Sequence, residues 1–168
     1  SFESGLSNWI SAGWIASDAI AAKEGTSYAW DTDQERLAPD SHQALTLARP
    51  IVLPAGSNVQ VTFSVNGIMT GGSWFRLQYS QDDGLSWPEL GTANLDAGFN
   101  TGANWSRLQA SLASLAGKTV RLRLISHSDN GARAEDIRVD KLTIAEMPAA
   151  VSAVTPEQLF RLDARIGL

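Results

Sequence analysis

Three stretches of the chain, 59–65, 74–79 and 120–124, alternate between apolar and polar residues. Because successive side chains of a β-strand point to opposite faces, this period of two predicts strands with one buried face. Weaker alternation predicts five more strands, at 14–20, 28–31, 43–48, 105–112 and 137–144.

Turn-forming residues separate these predicted strands. Examples are Asn66-Gly67 and Asp83-Gly84. Glycine and asparagine adopt backbone conformations that other residues avoid, and they therefore favour tight turns. Many short strands with such turns indicate an all-β fold, an antiparallel β-sandwich of the jelly-roll type, over residues 1–146.

The last part of the chain has a different character. Residues 147–150 have the composition of a linker, and Thr155 and Pro156 then suit the cap and the first position of a helix. Apolar residues within 159–166 would share one face of this short helix. The sequence therefore predicts a linker and a short helical tail over 147–168. The tail either docks on the sandwich or leads into a further segment of the parent protein.

Composition excludes several classes of site. The 168 residues include no cysteine, which excludes a disulfide framework, a thiolate zinc site and a cysteine nucleophile. A net charge of −5 argues against binding to a nucleic-acid backbone. No apolar run approaches the roughly 20 residues that span a bilayer, so we expect no membrane insertion. The chain starts at Ser1 rather than Met, and we interpret it as one piece of a longer precursor.

Four motifs follow one another in a distinctive order. They are 2–9 with Trp14 after it, then 24–29, 120–124 and 137–144. This order resembles the jelly-roll accessory modules of extracellular bacterial proteins, which are similar to MAM domains and to the C-terminal modules of secreted metalloproteases of the immune-inhibitor-A type. The resemblance covers the whole predicted sandwich. It implies a non-catalytic module of a secreted or cell-surface protein, attached to an enzyme or adhesin and often holding one structural calcium ion.

The resemblance also implies where that calcium ion would bind. It assigns the carboxylates of Glu3 and Asp140 as ligands, with further oxygens from the loop that includes Lys23 and Thr26. The family commonly ends in an Ile-Asp-Asp strand, whereas this chain has lysine at position 141, so the second aspartate is missing. The alternative is that Glu3 and Asp140 are solvated carboxylates at strand ends.

The last predicted strand contains a change of phase. Ile137 and Val139 lie at odd positions, whereas Leu142 and Ile144 lie at even ones. One extra residue in a strand produces such a change, which predicts a β-bulge at Asp140 and the lysine after it. Because bulges often re-aim a side chain, this pattern supports a special role for Asp140.

Trp74 lies on the polar side of its predicted strand, together with Arg76 and Gln78. Arg121 and Arg123 also point away from the core on theirs. An exposed aromatic ring beside planar hydrogen-bonding groups is typical of a sugar site. We therefore predict that these five residues form a ligand-binding face, provided that the two strands share a sheet. The alternative is that a loop covers Trp74 and that the arginines are solvated.

The segment 80–87 matches the Asp-box pattern Ser-x-Asp-x-Gly-x-Ser-Trp. In such a segment Asp82 accepts hydrogen bonds from turn amides, Gly84 permits a positive φ, and Trp87 packs over the turn. The match predicts the tip of a β-hairpin. Asp-boxes repeat in sialidase propellers, and a single copy does not define propeller blades.

No catalytic motif accompanies these features. His42 and His127 are isolated in the sequence, and neither HExxH nor GxSxG occurs. The acidic residues at 31, 33 and 35 suit either a loop surface or a further cation site. We predict a non-catalytic accessory module that binds carbohydrate or protein, beside other domains of its parent chain. The alternatives are a structural or adhesive spacer without a ligand and a hydrolase domain.

Overall fold

Two antiparallel β-sheets pack face to face in the computed structural model, which describes residues 1–32, 37–131 and 135–147. The described residues form ten strands: β1 (Trp9–Ala12), β2 (Ile15–Ser17), β3 (Tyr28–Trp30), β4 (Ser41–Leu47), β5 (Ile51–Val52), β6 (Val59–Ile68), β7 (Trp74–Ser80), β8 (Ser106–Ser111), β9 (Thr119–Ser128) and β10 (Asp136–Glu146). Sheet 1 has β9 at its centre, paired with β4, β5 and β7, and β1 pairs with β4. Sheet 2 has the order β2, β3, β10, β6, β8. The predicted antiparallel sandwich is confirmed.

The alternation of apolar residues decides which side of each strand is buried. In β6 the side chains of Val61, Phe63 and Val65 are at most 1% exposed, and in β7 those of Phe75 and Leu77 are equally buried. The rings of Phe63 and Phe75 lie 6.1 Å apart, one from each sheet. Burial of each such side chain contributes about 2 kcal/mol. The apolar positions that predict the strands therefore also form the core between the sheets.

The opening of the chain differs from the single strand predicted at 14–20. The structure instead has β1 in sheet 1 and β2 in sheet 2, and Gly13 between them has a φ of +91°. A Cβ at this glycine would lie 1.5 Å from the Gln43 side chain. Glycine therefore allows a sharp crossing from one sheet to the other, between β1, which was not predicted, and β2, which is shorter than the predicted strand.

The predicted bulge in the last strand is confirmed. In the pairing of β10 with β6, Asp140 lies opposite Ser64, and the regular register resumes only at Thr143 opposite Thr62. Lys141, inside the bulge, has a φ of +52°, which is uncommon for a residue other than glycine. The bulge gives β10 an extra residue beside Asp140 and so separates this carboxylate from the regular ladder.

Two predictions fall outside the described residues: the helix from position 155 onward, and the acidic residues at 33 and 35. Within the described part of the chain, no helix is both long and apolar enough to cross a membrane.

Candidate functional site

The residues predicted to bind a ligand lie together on the outer face of sheet 1. β7 pairs with β9, so that Gln78 lies opposite Arg123 and Trp74 lies opposite His127. The condition that the two strands share a sheet is therefore met. We call this surface the sheet 1 face, and its members are Trp74, Arg76, Gln78, Trp87, Arg121, Arg123, His42 and His127.

Three aromatic rings form a compact cluster at one end of the sheet 1 face, where the rings of Trp74 and His42 also lie 5.6 Å apart. The ring centroid of Trp74 lies 5.2 Å from that of His127, which stacks on His42 at 4.4 Å. His127 meets both rings because β9 pairs with β7 on one side and with β4 on the other. Its Nδ1 lies 3.2 Å from the carbonyl oxygen of Ser41, an atom that only accepts, so Nδ1 carries a proton. The two histidines are isolated in the sequence, and their contact depends on the pairing of β4 with β9.

Arg76 lies beside this cluster, and its side chain is only 16% exposed. Its guanidinium carbon lies 5.1 Å from the centroid of the Trp74 ring. The group donates hydrogen bonds to the carbonyl oxygen of Leu95 at 2.7 Å and to the Asp96 carboxylate at 2.5 Å, and Glu89 lies 3.4 Å from its Nε. These partners come from the loop after β7, so the guanidinium holds that loop at the edge of the face.

Arg123 connects the middle of the face to Trp87. Its Nε donates to the side-chain oxygen of Gln78 at 2.7 Å, and its guanidinium carbon lies 4.2 Å from the Trp87 ring centroid. Partial burial lowers the pKa of Arg123. Gln78 is only 8% exposed and has committed its oxygen to Arg123, so its part in the predicted site is to orient the guanidinium.

The turn at 80–87 fixes the position of Trp87. The Asp82 carboxylate accepts hydrogen bonds from the Ser86 hydroxyl at 2.5 Å, the Ser86 amide at 2.9 Å and the Ser80 hydroxyl at 2.7 Å. These bonds lower the pKa of Asp82 to about 2. Gly84 has a φ of +95° and its carbonyl accepts the Trp87 indole N–H at 3.0 Å. The turn therefore presents Trp87 in one orientation.

Arg121, the fifth predicted residue, is bound to the same turn. One of its terminal nitrogens lies 2.8 Å from a carboxylate oxygen of Asp83. The Arg121 side chain is 21% exposed, whereas that of Asp83 is 84% exposed. The prediction that Arg121 lies on the outer face is correct, but the ion pair gives it a role in holding the turn.

The carboxylates proposed for calcium both contact the loop before β3. Glu3 accepts the Thr26 amide at 3.0 Å, the Thr26 hydroxyl at 2.9 Å and the Ser27 amide at 2.9 Å. Asp140 is fully buried and accepts the Glu24 amide at 2.8 Å. The amide of Ser27, followed by the two groups of Thr26, lowers the pKa of Glu3. The two chain ends therefore meet at this loop, as the resemblance implies.

The groups around these carboxylates are mainly hydrogen-bond donors. Both oxygens of Glu3 and both oxygens of Asp140 accept backbone N–H groups. Among the described residues, no three histidine, aspartate or glutamate side chains are grouped to hold a metal ion. Calcium requires six to eight oxygen ligands, and the oxygens of these two carboxylates alone fall short of that number. Calcium binding by Glu3, Lys23, Thr26 and Asp140 therefore stays a prediction, which a melting experiment below tests.

Asp31, which the sequence places in an acidic cluster, is fully buried between the sheets. One carboxylate oxygen accepts the Ile137 amide at 2.9 Å. Burial raises the pKa of Asp31 to about 7, and this rise is opposed by the Ile137 amide and by the nearby Ser126 hydroxyl. The second oxygen has no partner of full hydrogen-bond geometry among the described residues. A loop-surface role for Asp31 is therefore wrong.

No protein-family model and no curated protein matches the chain. Solved structures do match. TmCBM61 in complex with β-1,4-galactotriose is 16% identical, with a TM-score of 0.59 over 87% of this chain and 94% of that chain. The CBM22-1 xylan-binding domain of Xyn10C from Paenibacillus barcinonensis is 16% identical, with a TM-score of 0.56 over 89% of this chain and 93% of that chain.

A third match is a cleaved adhesin domain of Lys-gingipain from Porphyromonas gingivalis, 14% identical, with a TM-score of 0.62 over 86% of this chain and 95% of that chain. The chain has their jelly-roll fold. At such identities the likeness concerns the fold alone, and the closer relation to MAM and immune-inhibitor-A modules stays a prediction.

Proposed function

We propose that the chain is a non-catalytic carbohydrate-binding module of a secreted or cell-surface protein, and that the sheet 1 face holds the sugar. The observation that carries this proposal is the cluster of Trp74, His127 and His42, with the Arg76 guanidinium beside it. Aromatic rings stack on the C–H faces of pyranose rings, and planar polar groups bind the hydroxyls at the ring edge. The solved modules of the same fold are consistent with this use of the sandwich.

The carboxylates near this aromatic cluster support a binding role and not a catalytic one. Glycoside hydrolysis requires two carboxyl groups on either side of the bond that breaks. Glu89 and Asp96, beside the sheet 1 face, both pair with Arg76. Both carboxylates are therefore engaged by one cation of the protein itself.

The half-buried position of Trp74 makes it the residue to test. Its ring packs on His127 and Arg76 at the surface, and no core residue of the sandwich lies in its aromatic contacts. We expect Trp74→Ala to weaken binding about tenfold or more, because buried aromatic anchors dominate such sites. The melting temperature should change by only a few degrees, roughly the effect of 1 kcal/mol.

The test is retention in affinity electrophoresis on a panel of polysaccharides that includes galactan and xylan. Val52→Ala is the matched control, because Val52 is also a surface apolar residue, 76% exposed, on β5. Equal retention of Trp74→Ala and the native protein on every polymer that binds would contradict the proposal. Absence of binding across the panel would favour the protein-binding or spacer alternative.

A further inference from the structure

The outer face of sheet 2 carries a polar cavity, on the other sheet from the Trp74 cluster. Its volume is about 420 Å³, and it lies where β6, β8 and β10 run side by side. Three basic side chains surround it, those of Lys23, Arg107 and Lys141. We call this cavity the basic pocket. Cavities of a few hundred Å³ are the usual size for small-molecule ligands.

The positive charge of the basic pocket is only weakly compensated. Within the described part of the chain, Lys23 and Arg107 take part in no ion pair, and both are exposed. Lys141 lies 3.7 Å from Glu24, and both of these side chains are 52% exposed, so their attraction is small. The buried Asp140 lies on the strand beside the pocket, where two backbone amides already bind its carboxylate. The chain as a whole has a net charge of −5, so this concentration of cations is local.

The floor of the basic pocket is made of hydroxyl groups. Thr62 and Thr143 lie opposite each other on β6 and β10, and their hydroxyl oxygens are 2.7 Å apart. Ser64, two residues further on β6, lies opposite Arg107 of β8. Each hydroxyl has both donor and acceptor capacity, which matches the hydroxyl groups of a sugar.

Trp105 forms one wall of the pocket and is held rigidly. Its indole N–H donates to the carbonyl oxygen of Ala21 at 3.2 Å, and its ring meets the edge of the Tyr28 ring at a centroid distance of 6.0 Å. The indole is half-buried, so its remaining surface faces the pocket residues. A fixed aromatic wall beside hydroxyls suits a pyranose ring.

We propose that the basic pocket binds an acidic saccharide, with the anionic group between Lys23, Arg107 and Lys141 and the sugar ring against Trp105. The three cations select the anion, whereas the hydroxyl floor and the indole select the ring. A phosphate or sulfate ion alone would use only the first set. This site is separate from the sheet 1 face and does not depend on the function proposed for that face.

The experiment compares ligands that differ in charge alone. A trimer of galacturonic acid and its methyl ester have the same rings and linkages, but only the acid carries carboxylates. We expect isothermal titration calorimetry to show binding of the acid and at least about tenfold weaker binding of the ester. Affinity for the acid should decrease as salt increases.

Variants locate the binding. Arg107→Gln should weaken binding of the acid about tenfold, the effect of one lost charge-assisted contact. Arg49→Gln makes the same change of charge at another exposed position and should bind like the native protein. Trp74→Ala should also bind like the native protein, which separates this site from the sheet 1 face.

Five outcomes decide the proposal. Equal affinity for acid and ester, or native affinity in Arg107→Gln, would overturn it. Inorganic sulfate that binds as tightly as the trimer would also overturn it, since the site would then hold an adventitious ion only. Binding of a sulfated oligosaccharide in place of the galacturonate would support the site and identify sulfate as its anion. Binding of neither acidic sugar would overturn it.

Discussion

On sheet 1 the outward arginines stay partly exposed even where they bind a loop, whereas on sheet 2 Asn66 and Asp140 are buried beneath the loops that they bind. The Arg76 side chain is 16% exposed and that of Arg121 is 21% exposed, although they bind the loop after β7 and the turn at 80–87. Asn66 of β6 instead donates to the carbonyl oxygen of Asn104 at 2.7 Å, and Asp140 of β10 accepts an amide of the loop before β3. The same strand geometry therefore supports two uses of polar residues.

This difference predicts which substitutions affect ligand binding and which affect the free energy of unfolding. When a partly exposed side chain is replaced, water can reach the partners that it leaves. A buried group that binds a loop leaves that loop's amides or carbonyls without partners when it is replaced. We therefore expect substitutions on the sheet 1 face to reduce ligand binding and substitutions of the buried groups on sheet 2 to reduce the free energy of unfolding.

The largest effect on the free energy of unfolding is expected at Asp31, which lies between the two sheets. Its pKa is about 7 in the folded protein and 3.8 in the unfolded chain. As pH rises from 4 to 7, the unfolded chain releases the Asp31 proton before the folded protein does. The free energy of unfolding therefore falls as pH rises, and the loss is complete above pH 7. The full loss is on the order of 4 kcal/mol.

Asp31→Asn removes this pH dependence, because the amide is neutral and its oxygen still accepts the Ile137 N–H. Urea denaturation should show that the free energy of unfolding of the variant exceeds that of the native protein by a gap that is larger at pH 8 than at pH 5. A gap that is equal at both pH values would contradict the raised pKa.

Asp140→Ala is expected to have the next largest effect. The substitution leaves the amides of Glu24 and Lys141 without their acceptor in a partly buried place. The loss should be about 3 kcal/mol, or a fall in melting temperature of about 5–10 °C. Asp18→Ala, which removes an exposed carboxylate, serves as the control and should melt like the native protein.

The native protein and Asp140→Ala together also test the prediction of a calcium site. The calcium prediction requires that calcium raise the melting temperature of the native protein, that a chelator lower it, and that Asp140→Ala respond to neither. If the native protein shows no response, the amides alone join the chain ends at Glu3 and Asp140.

Arg76→Gln should have the smallest effect on stability. The ion pairs with Glu89 and Asp96 are partly exposed, 46% and 71% for the two carboxylates. Such pairs contribute about 0.5–1 kcal/mol, so the melting temperature should fall by only a few degrees. Sugar affinity should fall more clearly, because the guanidinium lies over Trp74. A loss of stability as large as that of Asp140→Ala would remove the distinction between the two faces.

Local patterns were sufficient for most of the fold. Strict alternation of apolar and polar residues marks β6, β7 and β9, because each strand has one face in the core. The change of phase marks the bulge at Asp140, because odd and even positions of a strand point to opposite faces. The opening was harder to predict, since the break between β1 and β2 depends on the crossing at Gly13 and on the Gln43 side chain 30 residues later in the chain.

The candidate site could be predicted only in part. Parity alone places Trp74 and Arg123 on outward faces, but it does not pair their strands. The contact of His42 with His127 depends on the register of β4 and β9, and the burial of Asp31 depends on how the two sheets close over it. The partners of the arginines likewise come from loops whose course has no local signature.

The position of β10 has a consequence for synthesis of the protein. This strand is made last among the described strands, yet it lies between β3 and β6 and pairs with both. A nascent chain on the ribosome therefore exposes two unpaired strand edges until residue 146 has emerged. An interrupted translation product lacking β10 would be prone to aggregate through those edges.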